Sequence, residues 1–320
     1  MSARLGLKGF RRWHEATLVA LLIGLLAAAG RMDPGFVQAG TQIGLSADMW
    51  ELALLAVPMT LIIITAGVDL SVGSTMALCA VVLGLSYEAG WPLWIGAGLA
   101  LLSGAAAGAL NGVFVAHVRV HPLIVTLATL AAYRGVAEGI SLGRPISGFP
   151  DSFAVVGRGA ALGAPIPGLL FLGAAVAAAF VLAKTALGRS LYAIGHNETA
   201  ARYSGISVDR IKMLLYTLSG FSAGLAAVIY VARFNTAKAN IGSGMELNVI
   251  TAVVLGGTSI FGGRGDILGT TLGVLLIHET RKFVSWHWHK DELNAIVVGA
   301  LLILSVLLNR ILSPKGRESD

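Results

Sequence analysis

Charge is scarce in this sequence. Asp, Glu, Lys and Arg together make up 12% of 320 residues, against about 25% in a soluble globular chain. That shortage excludes an ordinary water-soluble domain, and 56% hydrophobic residues with a mean hydropathy of +0.79 agree. Cysteine is nearly absent. Cys79 stands alone, so no intramolecular disulfide can form and the redox compartment cannot be read. No Gly-x-x-x-x-Gly-Lys-Ser/Thr segment occurs, which excludes P-loop ATP hydrolysis by this chain. Ten-residue segments of alternating polarity are missing too, which excludes a transmembrane barrel.

What remains is a set of apolar runs long enough to cross a bilayer as helices. We count about ten spans, near 15–30, 51–66, 72–86, 92–116, 122–140, 166–183, 213–232, 247–260, 267–280 and 293–309. The expected fold class is therefore an all-α integral membrane protein with about ten transmembrane helices in one domain, 1–320. Residues 1–30 imitate a signal peptide, with a basic start, an apolar run and Ala27-Ala28-Ala29. With so many spans following, an uncleaved first helix is the better reading.

A net charge of +6 and a pI near 9.7 raise the question of nucleic acid. The cations lie beside span ends, as the positive-inside rule expects, and need no nucleic acid as a partner. Ten spans place both termini in the cytoplasm, with a tail at 1–14, a loop at 184–212 and a tail at 310–320. Fourteen cations then lie inside against eight outside.

The loop from Lys184 to Lys212 is the one long polar stretch between apolar segments, with five cations: Lys184, Arg189, Arg202, Arg210 and Lys212. Its middle predicts a short helix. Asn197 suits the N-cap, Glu198 the first turn and Gly205 the stop. Ala200, Ala201 and Ser204 would let a partner approach closely. Spacing alone leaves two readings open: a docking helix, or a loop whose cations only set topology.

Two glycine-rich interruptions join spans too closely for true loops. One is residues 66–74, with Gly67, Asp69, Ser71 and Gly73. The other is residues 256–265, opened by Gly256 and Gly257. Irregular backbone at membrane depth survives only when buried in protein or lining a cavity. Asp69 is either a polar group on a translocation route or a cap for the next helix, and the glycines around it favour the cap. Gly104, Gly108 and Gly112 form a stripe for close helix packing. Gly220-Phe221-Ser222-Ala223-Gly224 matches a nucleophile elbow literally, but in an apolar helix it reads as packing. No catalytic residue, metal site or cofactor is expected. His287, His289, Asp291 and Glu292, with Trp286 and Trp288, read as an interfacial anchor; either Arg134 and Glu138 form an i,i+4 pair, or Arg134 lies toward the outer interface.

Four ordered stretches resemble a known family: MTLIIITAGVDLSVGSTMAL (59–78), HPLIVTLATLAAYRGVAEGISLGRPI (121–146), GRSLYAIGHNETAARYSGISVDRIK (188–212) and ITAVVLGGTSIFGGRGDILGTTLGVLLI (250–277). They are similar to the sugar-type permeases of binding-protein-dependent ABC importers, the group that includes the ribose permease. Ala66 departs from the pattern, standing where the family usually has a second glycine. The resemblance implies an inner-membrane transport subunit without enzymatic activity of its own. It implies ATPase subunits on the cytoplasmic face, a second permease subunit and a periplasmic sugar-binding protein. The cargo it implies is a monosaccharide or similar solute of ribose, rhamnose or autoinducer-2 type. The family's ATPase-coupling element falls on Arg189, Asn197, Ala200, Ala201, Arg202, Gly205 and Ile206. The competing class is an ion-coupled secondary transporter using Asp69, Arg134 and Glu138, which the few intramembrane carboxylates disfavour.

Overall fold

A computed structural model describes residues 2–288, 293, 294, 296–301 and 303, with side chains from His14 onward. The chain is mostly helical. In order the helices are α1 (Ser2–Met32), α2 (Ala39–Ser46), α3 (Trp50–Ile64), α4 (Val72–Glu88), α5 (Leu93–Gly112), α6 (Pro122–Ser141), α7 (Asp151–Arg158), α8 (Ile166–Lys184), α9 (Ala186–His196), α10 (Glu198–Tyr203), α11 (Val208–Phe234), α12 (Met245–Leu255) and α13 (Ile267–Trp288). A π-helical turn, Val113–His117, extends α5. Two antiparallel pairs of two-residue strands complete the described part, Ile146–Ser147 with Thr236–Ala237 and Ala160–Ala161 with Ala164–Pro165.

Helix ends follow local chemistry. Pro122 opens α6, where a missing N–H costs nothing, and the His121 ring accepts from the Leu123 N–H at 3.3 Å. Leu142 and Gly143 take left-handed φ values of 54° and 67° and stop it. α3 sits at the centre, with every residue from Glu51 to Ile64 buried. Large apolar side chains on α1, α6 and α8 stay exposed, among them Ile23, Ile124 and Phe180. Such an outward face suits lipid.

α5 and α11 share the most extensive helix contact. A Cβ added to Gly104 would lie 2.2 Å from the Gly220 carbonyl oxygen, and one on Gly108 would lie 2.1 Å from that of Tyr216. Conversely, one on Gly220 would lie 2.0 Å from the Gly104 oxygen. The glycine stripe and the two glycines of the elbow-like pentapeptide, Gly220 and Gly224, are thus the two halves of one backbone-to-backbone seam.

Five helices are long and apolar enough to cross a membrane: His14–Met32, Leu93–His117, Pro122–Ser141, Ile166–Lys184 and Val208–Phe234. The pair α2 and α3, bent by 58°, raises this to six if it counts as one span. The expected ten are therefore not reached on length and composition. The glycine interruptions cut α4 and α12 short, and α13 carries Glu279, Arg281 and Lys282. Of the expected tenth span, residues 293, 294, 296–301 and 303 are helical, and the rest of it, with the tail at 310–320, lies outside the described residues. α11 starts five residues before the expected 213, because Lys212 and Asp209 bind side chains of α10 rather than water.

Candidate functional site

The polar stretch after α8 folds into two short helices. Thr185 caps α9, accepting from the Gly188 N–H at 3.1 Å. Asn197 caps α10, its side chain accepting from the Ala200 N–H at 2.9 Å. Gly205, at φ +82°, ends it, with the Gly205 N–H bonding to the Arg202 oxygen and the Ile206 N–H to the Ala201 oxygen. Both ends thus form as the local sequence dictates.

A charged clamp holds α10 against α11. Arg202 donates to Glu198 at 2.9 Å and to Asp209 at 2.5 Å, while Lys212, itself buried, reaches Glu198 at 2.5 Å. Partial burial pushes the Glu198 carboxyl up, but hydrogen bonds from Lys212 and Arg202 outweigh it and hold it below the usual range. The Arg202 guanidinium is pushed further up, first by Asp209 and then by Glu198. Arg189 is exposed on α9 and stands outside the clamp.

The helix shows two faces. Ala201 is buried and Ile206 half-buried against the core, whereas Thr199, Ala200, Tyr203 and Ser204 are exposed, Tyr203 at 90%. Ala201 therefore anchors α10 inward, and Ala200 with Ser204 is what a partner would meet. A cavity of about 590 Å³ lies between this helix and the start of α6, lined by Arg119, His121, Glu198, Arg202, Tyr203 and Lys212 among others.

The two glycine-rich interruptions meet directly behind α10. The Gly263 N–H donates to the Ile64 oxygen at 2.9 Å, joining the second interruption to the end of α3. Gly195, one residue short of the end of α9, fits between them. A Cβ there would lie 1.9 Å from the Ile64 oxygen and 2.3 Å from the Gly263 nitrogen. Tyr192 on the same helix donates to the Gly265 oxygen at 2.8 Å. Gly195 carried no chemical signal in the sequence; its one visible mark was a glycine inside a helix, which usually has a packing reason. Ala66 beside this junction has φ +60°, so the departure from the family glycine places a Cβ in a left-handed conformation.

The other glycines close the same assembly. Gly67 packs against the Tyr216 hydroxyl, and Gly73 against the backbone of Gly242. A Cβ on Gly256 would lie 2.5 Å from the Gly269 oxygen, where α12 crosses α13. Gly257, at φ +92°, faces the His14 ring, which hydrogen-bonds the Leu255 oxygen at 3.0 Å and ties α1 to this region.

Asp69 is sealed. One carboxylate oxygen accepts from the Ser71 N–H at 3.0 Å and its hydroxyl at 2.7 Å; the other accepts from Ser219 at 2.7 Å. Asn111 donates to the Ser71 hydroxyl at 2.8 Å, and Tyr133 to the Asn111 amide oxygen at 3.3 Å. The residue is 2% exposed. Its geometry is that of a turn preceding α4, cross-tied to α5, α6 and α11, with both carboxylate oxygens hydrogen-bonded.

Arg134 and Glu138 do not pair. The guanidinium donates to the carbonyls of Ala239 at 2.5 Å and Ile241 at 2.8 Å, and Glu138 is exposed. The tertiary carbonyls outcompete a neighbour on the helix because they lie in the buried direction. His287 stacks on Phe283 and meets Trp288 edge-on, and Trp286 donates to Asp33 at 2.7 Å. His289, Asp291 and Glu292 lie outside the described residues. Among the described residues no cluster of three or more His, Cys, Asp or Glu could hold a metal.

Comparison with known proteins adds identity. The family model described as branched-chain amino acid transport system / permease component matches residues 43–306. The autoinducer 2 import system permease protein LsrD of Klebsiella pneumoniae is 35% identical over 305 residues, covering 93% of this chain and 92% of the relative. Its Yersinia enterocolitica counterpart is also 35% identical, with the same coverage. That of Escherichia coli K12 is 34% identical over 299 residues, covering 92% of this chain and 91% of the relative. No solved structure matches.

Proposed function

This chain belongs to the branched-chain amino acid transport system / permease component family, and from that premise we propose that it is the membrane subunit of a binding-protein-dependent ABC importer. It spans the inner membrane about ten times, with both termini cytoplasmic and residues 184–212 on the ATPase side. The short spans α4 and α12 cross together with the broken backbone that precedes or follows them. Two such subunits, this chain with a copy or a related permease, enclose the path. A periplasmic binding protein delivers the cargo, a small polar solute of the monosaccharide or furanone class. Autoinducer 2 comes first among candidates because it is in the names of relatives 34–35% identical.

One observation carries the reading. α10 is capped at both ends, clamped by Glu198, Arg202, Asp209 and Lys212, and continuous with a helix keyed by Gly195 into both backbone breaks. An ATPase seated on its outer face and closing on ATP displaces α9 and α10 as one piece. That displacement reaches α3 through Ile64 and α12 and α13 through Gly263, so access changes at the paired permeases without the chain touching nucleotide. A gradient-coupled carrier would need an exposed titrating group on the route; Asp69 and Arg134 are both committed to internal bonds, which leaves that reading only Glu138, exposed on α6, of the three residues it invokes.

Arg202→Glu puts a third acid beside Glu198 and Asp209, and Gly205→Pro forbids the left-handed stop. Either variant should insert normally and lose uptake. Wild-type uptake with either one refutes the coupling role.

A further inference from the structure

The turn at residues 259–265 is built more firmly than a connection between two helices requires. The Ser259 N–H bonds to the Arg264 oxygen at 3.0 Å and the Gly262 N–H to the Ser259 oxygen at 2.9 Å. Gly262 and Gly263 take φ +82° and +73°, and Tyr192 holds the Gly265 oxygen. At its tip stands Phe261, 79% exposed. The turn thus presents a large apolar ring on a hydrogen-bonded backbone.

Its position gives it meaning. A Cβ on Gly263 would lie 2.7 Å from the His196 ring, and His196 is followed at once by Asn197, the cap of α10. Any body resting on Thr199, Ala200 and Tyr203 therefore has the Phe261 turn beside it. Tyr203, 90% exposed, is a second exposed aromatic, on α10 itself. Arg264 lies in the turn and Asp266 follows it, both half-buried, and Asp266 accepts from the Gly269 N–H at 2.8 Å in the first turn of α13. Aromatic anchors surrounded by polar residues are what protein interfaces select.

We propose that Phe261, on the turn between α12 and α13, is a second docking point for the same ATPase subunit that engages α10. This rests on the reading of α10 as the ATPase-docking helix. The partner reads two places at once: the helix that moves and the turn locked to it. Docking at Phe261 fixes the orientation of the ATPase relative to the Ile64–Gly195–Gly263 junction, so that closure pushes along α9 rather than rolling around α10.

The test uses the assembled transporter, with a photoreactive benzoylphenylalanine placed singly at position 261 or at position 200. Both should crosslink to the chain that carries the Walker motifs, identified by peptide mass. Phe261→Ala should weaken ATPase retention on the solubilised permease about tenfold, or roughly 1.4 kcal/mol, and Phe261→Leu should keep most of it. A crosslink at 200 with position 261 reaching only lipid, a second permease copy or nothing overturns the Phe261 contact and leaves α10 docking intact. Silence at both positions removes the reading of α10 and this proposal with it. Undiminished retention in Phe261→Ala also overturns the contact.

Discussion

Gly195→Ala is the substitution on which local and tertiary physics disagree in sign. Gly195 lies within α9, where alanine is favoured over glycine by about 1 kcal/mol on helix propensity. The structure opposes this. The new methyl would sit 1.9 Å from the Ile64 oxygen and 2.3 Å from the Gly263 nitrogen, and both are backbone atoms that cannot rotate away. α9 must therefore back off by roughly an ångström, at an overpacking cost of about 1–3 kcal/mol. The Gly263 N–H to Ile64 bond is stretched in the process, losing about 1 kcal/mol more. The net expectation is destabilisation of about 1–3 kcal/mol. Cys79, fully buried, offers the readout: a thiol-reactive fluorogenic dye reports melting of the detergent-solubilised protein. The midpoint should fall by several degrees, and uptake should fall with it. Gly139→Ala on α6, with nothing within 4 Å of its added methyl, is the control and should melt no lower than wild type. A Gly195→Ala protein as stable as wild type, or more so, would refute the close-contact argument.

Asp69→Asn keeps the shape and most of the hydrogen bonds to Ser71 and Ser219, so uptake should stay within about threefold of wild type and resist a protonophore; loss of gradient-dependent uptake would instead make Asp69 an ion-coupling group. The Glu198 carboxyl is held below its ordinary 4.5, so the ionised form belongs to the folded clamp. Its contribution is complete above about pH 4.5 and disappears as pH falls through the lowered value. Protection of the α10 amides, taken relative to intrinsic exchange at each pH, should therefore fall below that pH in wild type, and Glu198→Gln should flatten the dependence; equal profiles would contradict the clamp. Ala66→Gly relieves a left-handed Cβ and should raise the melting midpoint by the equivalent of about 1 kcal/mol, a fall counting against the strain. Gly108→Leu drives a side chain into the Tyr216 carbonyl and should abolish stable insertion, whereas leucine at Gly98, with open space around it, should be tolerated in the same expression assay.

Local rules were legible. Asn197 and Gly205 bracket α10 because capping depends on residues three or four positions apart. Apolar runs gave the places of α3, α5, α6, α8 and α11 to within a few residues. The span count was less secure because hydropathy averages over breaks: α4 and α12 are shortened by glycine-rich backbone whose depth no window can see. Partnerships over long sequence distance were invisible. Gly104 and Gly220 each read as packing residues, but that they face one another is set by the whole bundle. Arg134 was given its helix neighbour because the carbonyls of Ala239 and Ile241 lie more than a hundred residues away. Gly195 was missed for the same reason, its neighbours being Ile64 and Gly263.

The seam between α5 and α11 has one more consequence. Where Gly104, Gly108 and Gly220 meet carbonyl groups, there are few rotamers to freeze and none to exchange. A contact of side chains can slip by letting one chain turn over; a contact of bare backbone fits in a single register or not at all. The two helices therefore behave as one stiff beam, and whatever bends during a transport cycle must bend at its ends.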